Sequence, residues 1–546
     1  MNIAPLDWAV IGAYLLVITA IGLVVGFRVR RTGDYFLGGR KFGPWLMIGQ
    51  SFGVGTHAEM PVALAGAVYT SGASAIWFQW KNLFITPFYW LMAPVFRRIR
   101  RTTMAEFTED RYGPWMGGIY ILFALCFLII NTGSMLKGAG KVISQATGGG
   151  VGVNEIVVAM TVMFVLYSFV GGLVAAAWTD LFQGFLIIAL SFMLVPLGWS
   201  LVGGLDGMKA SLEPFRFSLA TPSGIGPWVI AMLTLNGLVG IMAQPQQLAA
   251  VGTGKDERTC RVGMFYGNFV KRVCTVGWAL VGLMVAALVA QGHVPPLADP
   301  EDAFGIACRR LLFPGALGLM IASILAANMS TCSAFLVDSG ALFTEGLYRR
   351  RLMPGRPDGH YLWVGRMSGL AITLLGVLYA IFLIKSVLYT FLLTETLATF
   401  VGISVLGGIL WRRVNRWGAL ASLLVALAAN FLLYRLTGQR LDHWDPNVFL
   451  AALVAGSVAL VAVSLLTPPE PLGAIASFFD RLQTNSDDTG PDAGADRPLL
   501  LVNLLHPRRL VKERGWRVFR EDLGGFAAAW ILVAALVAAT AVFLSR

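Results

Sequence analysis

The chain has 546 residues, of which 56% are hydrophobic and only 13% charged, and its mean hydropathy of +0.70 excludes a soluble globular domain of this size. The formal net charge of +12 would suggest nucleic acid in a soluble protein; here the basic residues gather in alternate loops between apolar runs, so the charge reads as membrane topology. Cys126, Cys260, Cys274, Cys308 and Cys332 lack the paired spacing of a zinc or disulfide frame, and with no P-loop, GxSxG, HExxH or CxxC pattern the sequence gives no reason to propose an enzyme.

Apolar windows of about 20 residues, enough to cross a ~30 Å hydrocarbon core, predict an all-α polytopic membrane protein with about fourteen spans. They lie near 7–27, 43–70, 74–96, 116–146, 153–171, 176–203, 227–249, 264–291, 313–345, 361–384, 387–410, 417–436, 447–466 and 524–544. The N-terminal run has no basic n-region and no cleavage site, so the first span is expected to stay as an anchor. Lys and Arg are concentrated in Arg28–Lys41, Arg97–Arg111, Lys255–Arg261, Arg349–Arg356, Arg412–Arg416 and Arg481–Arg520. These loops are cytoplasmic by the positive-inside rule, which puts both termini outside a plasma membrane, the inner membrane in a bacterium.

The second span is interrupted by GQSFGVGTHAEMP (49–61). Backbone freed from helical bonding is tolerated at membrane depth only where protein buries it or a cavity meets it, so this stretch is expected to hold a ligand. The segments DYFLGGRKFGPW (34–45) before it and AGAVYTSG (65–72) after it resemble, in order, motifs of the sodium:solute symporter family. In the third span Lys81 lies near Gln79 and Asn82; a lysine there is costly unless it faces the interior with a partner, and Glu59 is the nearest candidate. The tail VFRRIRRTTMAEFTEDRYG (95–113) again resembles the family. The fourth span carries Asn131, with Lys137 and Lys141 expected to snorkel outward. YSFVGGLVAAAWTDLFQG (167–184) is similar to the family's G-G-x-x-A-V-x-W-T-D-x-x-Q turn and carries Asp180, also readable as the cap of a helix start.

The seventh span is broken at Asn236-Gly237, Gly240 and Gln244-Pro245. A second break five spans after the first is what an inverted repeat of five plus five helices requires. The ninth span, SILAANMSTCSAFLVDSGALFTEGLYRR (323–350), resembles the family signature, with Ala327, Ser330 and Thr331 on matching positions. Glu395 in the eleventh span is expected to line an external vestibule. The stretch 483–498 reads as a flexible linker, and 506–522 as an interfacial helix against anionic headgroups.

The resemblance implies a LeuT-type fold and sodium as the co-transported ion. A hard cation suits uncharged oxygens, and the resemblance places them at Gly53 and Thr56 in the break and at Ala327, Ser330 and Thr331, with Asp180 and Ser333 for a second sodium. The expected domains are a first helix and loop (1–42), a transport core (43–410, with repeats 43–203 and 227–410), peripheral helices (411–466), a cytoplasmic linker (467–523) and a last helix (524–546). The expected function is sodium-coupled uptake of a small polar solute, an organic anion or zwitterion, near His57, Glu59, Gln79, Lys81, Asn131 and Asn236. A sugar or polyol symporter, a proton-coupled carrier and a transporter-like sensor stay open. The expected partners are solute, sodium and the lipid bilayer, with no nucleic acid and no obligate protein partner.

Overall fold

In a computed structural model, residues 3–27, 29, 31–222, 225–438, 444–484, 497–505, 511–512 and 515–546 are described. Ten helices among them are long and apolar enough to cross a membrane, or eleven when Pro227–Ala243 and Pro245–Gly252 count as one bent span. The expected number of fourteen is therefore not fixed by length and hydropathy. The other predicted spans correspond to shorter pieces: α2 (Pro44–Gly55) with α3 (Glu59–Ser71), Trp77–Trp80 with α4 (Thr86–Ile99), and the first half of a long bent helix.

Around these run α1 (Pro5–Gly26), α5 (Pro114–Ala146), α6 (Val153–Phe192), α7 (Pro227–Gly240), α8 (Pro245–Gly252), α9 (Glu257–Ala290), α10 (Ala316–Phe343), α11 (Asp358–Phe382) and α12 (Val387–Leu410). They are followed by α13 (Arg416–Leu436), α14 (Pro446–Leu466), α15 (Leu472–Gln483) and α16 (Arg520–Ser545). The long α6 is two helices joined at Gly172, whose φ of +56° and ψ of −149° lie where only glycine is comfortable. A Cβ there would also come within 2.4 Å of the Tyr35 ring.

Burial sorts the helices by place. An 18-residue window of α10 is entirely buried, whereas the windows in α1 and α16 are only 22% buried and turn residues such as Leu16 and Ile531 outward. A helix hydrophobic all round and buried is a core helix; one that leaves its apolar side chains exposed takes lipid as its solvent. α10 packs on α6, and α2 packs on α6 and α9, so the first break lies beside the central helix.

The side away from the 292–302 loop is laced with ion pairs: Arg350 with Glu106 at 2.5 Å and Arg101 with Asp110 at 2.7 Å. Arg98 holds Glu257 through two bonds of 2.7 and 3.0 Å, and also donates to the carbonyls of Leu482 and Arg497 at 2.9 and 2.6 Å. Much of the predicted linker and basic stretch, 485–496, 506–510 and 513–514, lies outside the described residues, as does Arg28. The described part of the basic stretch is a short turn at Trp516–Phe519 leading into α16.

Candidate functional site

The break after Gly55 is narrow. Thr56 is extended (φ −127°, ψ 104°), and α3 begins at Glu59, with Pro61 in the first turn, where a proline costs no hydrogen bond. At the end of α2, Gly53 O still accepts from Thr56 N at 3.1 Å, while Val54 O has no backbone donor among the described residues. Thr331 of α10 fills this place: its hydroxyl donates to Gly53 O at 3.2 Å and Val54 O at 3.4 Å. The adjacent Ser330 donates to Asp180 Oδ1 at 2.5 Å. Asp180 is in the second half of α6, not at a helix start, and is fully buried. Gly53 lets the three helices meet, since a Cβ there would lie 2.6 Å from Ser330 Oγ and 3.0 Å from Asp180 Cβ.

Two oxygens in this cluster, Asp180 Oδ2 and Thr56 Oγ1, are buried with no hydrogen-bond partner among the described residues. Buried polar atoms are normally satisfied, so each such exception needs an explanation. Ala327 lies one turn before Thr331 on the same helical face and is buried. Ser333 donates to Met329 O within α10, the back-bonding common for hydroxyls in membrane helices. Hydroxyls, released carbonyls and one carboxylate oxygen are the donor set of a hard cation such as sodium. Among the described residues, no three His, Cys, Asp or Glu side chains gather into another kind of metal centre.

Beside the break is a small cavity of about 60 Å³, lined by Gly55, His57, Asn131, Gln244, Lys271 and Glu395 among others. Of the six residues expected near solute, His57 and Asn131 line it; Glu59, Gln79, Lys81 and Asn236 are not in its wall. His57 Nδ1 lies 2.5 Å from Glu59 Oε1, and Glu59 sits at the start of α3, where its charge suits the helix dipole. Asn131 donates to Phe127 O at 2.9 Å. The Gln79 side-chain oxygen is buried and unpartnered among the described residues. Asn236 donates to Thr396 Oγ1 at 2.9 Å and accepts from Thr399 Oγ1 at 3.1 Å, which ties α7 to α12.

Three sequence expectations are corrected. Lys81 faces the interior, but its ammonium pairs with Glu395 and lies 5.1 Å from the Phe391 ring centroid; Glu59 is already held by His57. Glu395 accordingly closes a buried ion pair at the cavity and is 7% exposed, so it does not stand in an open vestibule. Lys141 does not merely snorkel, because it pairs with Asp299 at 2.9 Å and Glu301 at 2.6 Å.

Sequence reading passed over Lys271 and Arg272, which the fold places in the cavity wall. The signal was present: two adjacent basic residues well inside the predicted span 264–291, where charge marks function.

The sodium:solute symporter family matches residues 35–426. The chain is 27% identical over 475 residues to the osmoregulated proline transporter OpuE of Bacillus subtilis (strain 168), covering 84% of this chain and 94% of that protein. It is also 27% identical over 410 residues to sodium/glucose cotransporter 2 of Rattus norvegicus, covering 66% and 61%. In structure it resembles a Na+-coupled sialic acid symporter solved in a substrate-bound outward-open state, with a TM-score of 0.71 at 18% sequence identity, covering 85% of this chain and 99% of that one. That likeness establishes the shared LeuT-type fold. With the match running over most of its length, the chain belongs to the sodium:solute symporter family.

Proposed function

We propose that this symporter couples sodium bound between α2, α6 and α10 to uptake of a small polar solute held in the adjoining cavity. The observation that carries the reading is the contact of Thr331 with the Gly53 and Val54 carbonyls at the helix break, beside an Asp180 oxygen that no described residue satisfies. Gly53, Thr56, Ala327, Ser330 and Thr331 are assigned to sodium. Asp180 joins them through Ser330; Ser333, whose hydroxyl is bonded within its own helix, is left to a second ion.

Sodium there would hold the two pieces of the broken span against α10, and so favour the conformation whose cavity accepts solute. Solute binding must then raise sodium affinity by the same factor, typically worth about 1–3 kcal/mol. Residues 43–410 form the transport core in this reading, and the basic loops support external termini in a plasma membrane.

The test is thermal stability of the purified protein in sodium against potassium at equal ionic strength. Stabilisation by sodium alone, rising further with a transported solute, is the expected result. Equal midpoints in the two salts, with a response to pH instead, would favour a proton-coupled carrier. Sodium-dependent binding without concentrative uptake into proteoliposomes would favour a sensor.

A further inference from the structure

The cavity wall carries four ionisable side chains that matter to any solute: His57, Lys271, Arg272 and Glu395. His57 and Glu395 are committed, to Glu59 and Lys81 respectively. Lys271 and Arg272 are different. Both are buried, at 5% and 1% exposure, and among the described residues neither forms an ion pair. The Lys271 ammonium donates to the Gly55 carbonyl at the helix break, which uses one of its three donors. Arg272 is held by Nη1 on Gln79 O at 3.3 Å and by a hydrogen bond with the Tyr89 side chain, and its buried Nε has no partner among the described residues. Phe127, Phe335 and Phe391 supply an apolar wall.

Two adjacent cations are expensive at membrane depth unless an anion meets them. The carboxylates near enough to act on Lys271, Glu59 and Glu395, are each already in contact with another partner. Free donors of both groups therefore remain at the wall of the cavity beside the break. An ammonium and a guanidinium together are a carboxylate receptor.

We propose that Lys271 and Arg272 hold the carboxylate of the transported solute, which is a small organic acid or amino acid with a compact apolar body rather than a sugar or polyol. This rests on the symporter reading above and names its substrate class. The carboxylate completes the charge balance of the cavity at the point where the Gly55 carbonyl is anchored, so solute binding acts directly on the broken segment that also carries Gly53 and Thr56.

The experiment measures thermal stabilisation of the full-length protein in sodium by matched pairs: L-proline and L-prolinamide, lactate and lactamide, succinate and succinamide, with glucose and myo-inositol as uncharged probes. At least one carboxylate is expected to stabilise, its amide binding about ten- to a hundredfold more weakly, the loss of a charged hydrogen bond. In Lys271→Met that preference for acid over amide is expected to fall at least tenfold, while stabilisation by sodium alone persists. Arg272→Lys, which keeps the charge, is expected to retain part of the preference.

Stabilisation by glucose or myo-inositol but by no carboxylate overturns the proposal, as does equal response to acid and amide. No response to any carboxylate while sodium alone stabilises overturns it too, and leaves the sodium reading standing. Loss of the sodium effect in the parent protein overturns the sodium reading instead. A Lys271→Met protein that melts lower than the parent without solute, yet keeps the parent's preference for acid over amide, would show that Lys271 serves only the fold through Gly55 O, and would also overturn the proposal.

Discussion

Thr331→Val exchanges one hydroxyl for a methyl at a wholly buried position, so the change isolates an oxygen. What the fold loses is the donation to Gly53 O at 3.2 Å and to Val54 O at 3.4 Å. Hydrogen bonds between membrane helices average ~0.6 kcal/mol, so the protein should remain folded with a small drop in midpoint. Bound sodium loses more. Treated as a hydrogen bond to a charged group, one oxygen ligand is worth about 1.5–3 kcal/mol, which raises the sodium concentration at half-saturation roughly ten- to a hundredfold. The assay is a sodium titration of thermal stability, with potassium keeping ionic strength constant. Ser323→Ala is the control, since that hydroxyl bonds only Leu319 O of its own helix, at 2.7 Å, and should leave the titration unmoved. A Thr331→Val midpoint for sodium within twofold of the parent, alongside lowered stability, would show that the residue only ties α10 to α2.

Lys81→Met should destabilise by about 3–5 kcal/mol, because it leaves Glu395 buried without its cation, and Lys81→Met/Glu395→Leu should recover much of the loss in the same melting assay; no recovery would mean that the pair does not act as a unit. Arg98→Met removes bonds to Glu257 and to the carbonyls of Leu482 and Arg497, so limited trypsin digestion should cut faster at Arg481 and Arg497, and an unchanged cleavage rate would refute the clamp. Glu470, between α14 and α15, is pushed up by burial, but its hydrogen bonds to Arg416 and the Arg416 charge outweigh that and hold its carboxyl below the ordinary range. A depressed native value stabilises above the unfolded value of about 4.3 and is lost as pH falls through the native one. Hydrogen exchange at the start of α13 should therefore accelerate on acidification below about pH 4, and Glu470→Gln should remove that acceleration; with Arg416 half-exposed, the effect will be small.

The sequence alone determined that the chain is a helical membrane protein and where two of its apolar runs break, but not the number of spans. Those properties are local: twenty apolar residues in a row, or glycines and a proline inside such a run, have the same meaning whatever packs against them. The motif around Ser330 and Thr331 was legible for the same reason, as was the excess of basic residues in alternate loops.

Partner choice was not legible. Lys81 takes Glu395, which is far away in the sequence, and Glu59 is claimed by His57 two residues away; nothing in either stretch announces this, since a buried charge pairs with whatever the packing of α3, α4 and α12 brings within reach. Asn236 read as a solute ligand from its place at a helix break, but the fold spends its side chain on Thr396 and Thr399. Lys271 and Arg272 sit in a span that looks ordinary by hydropathy, and only the contact of α9 with α2 shows that they face the break. Local composition sets which segments enter the membrane; the tertiary structure decides which buried charges cancel each other and which are left to meet a ligand, because that depends on distances between helices distant in the chain.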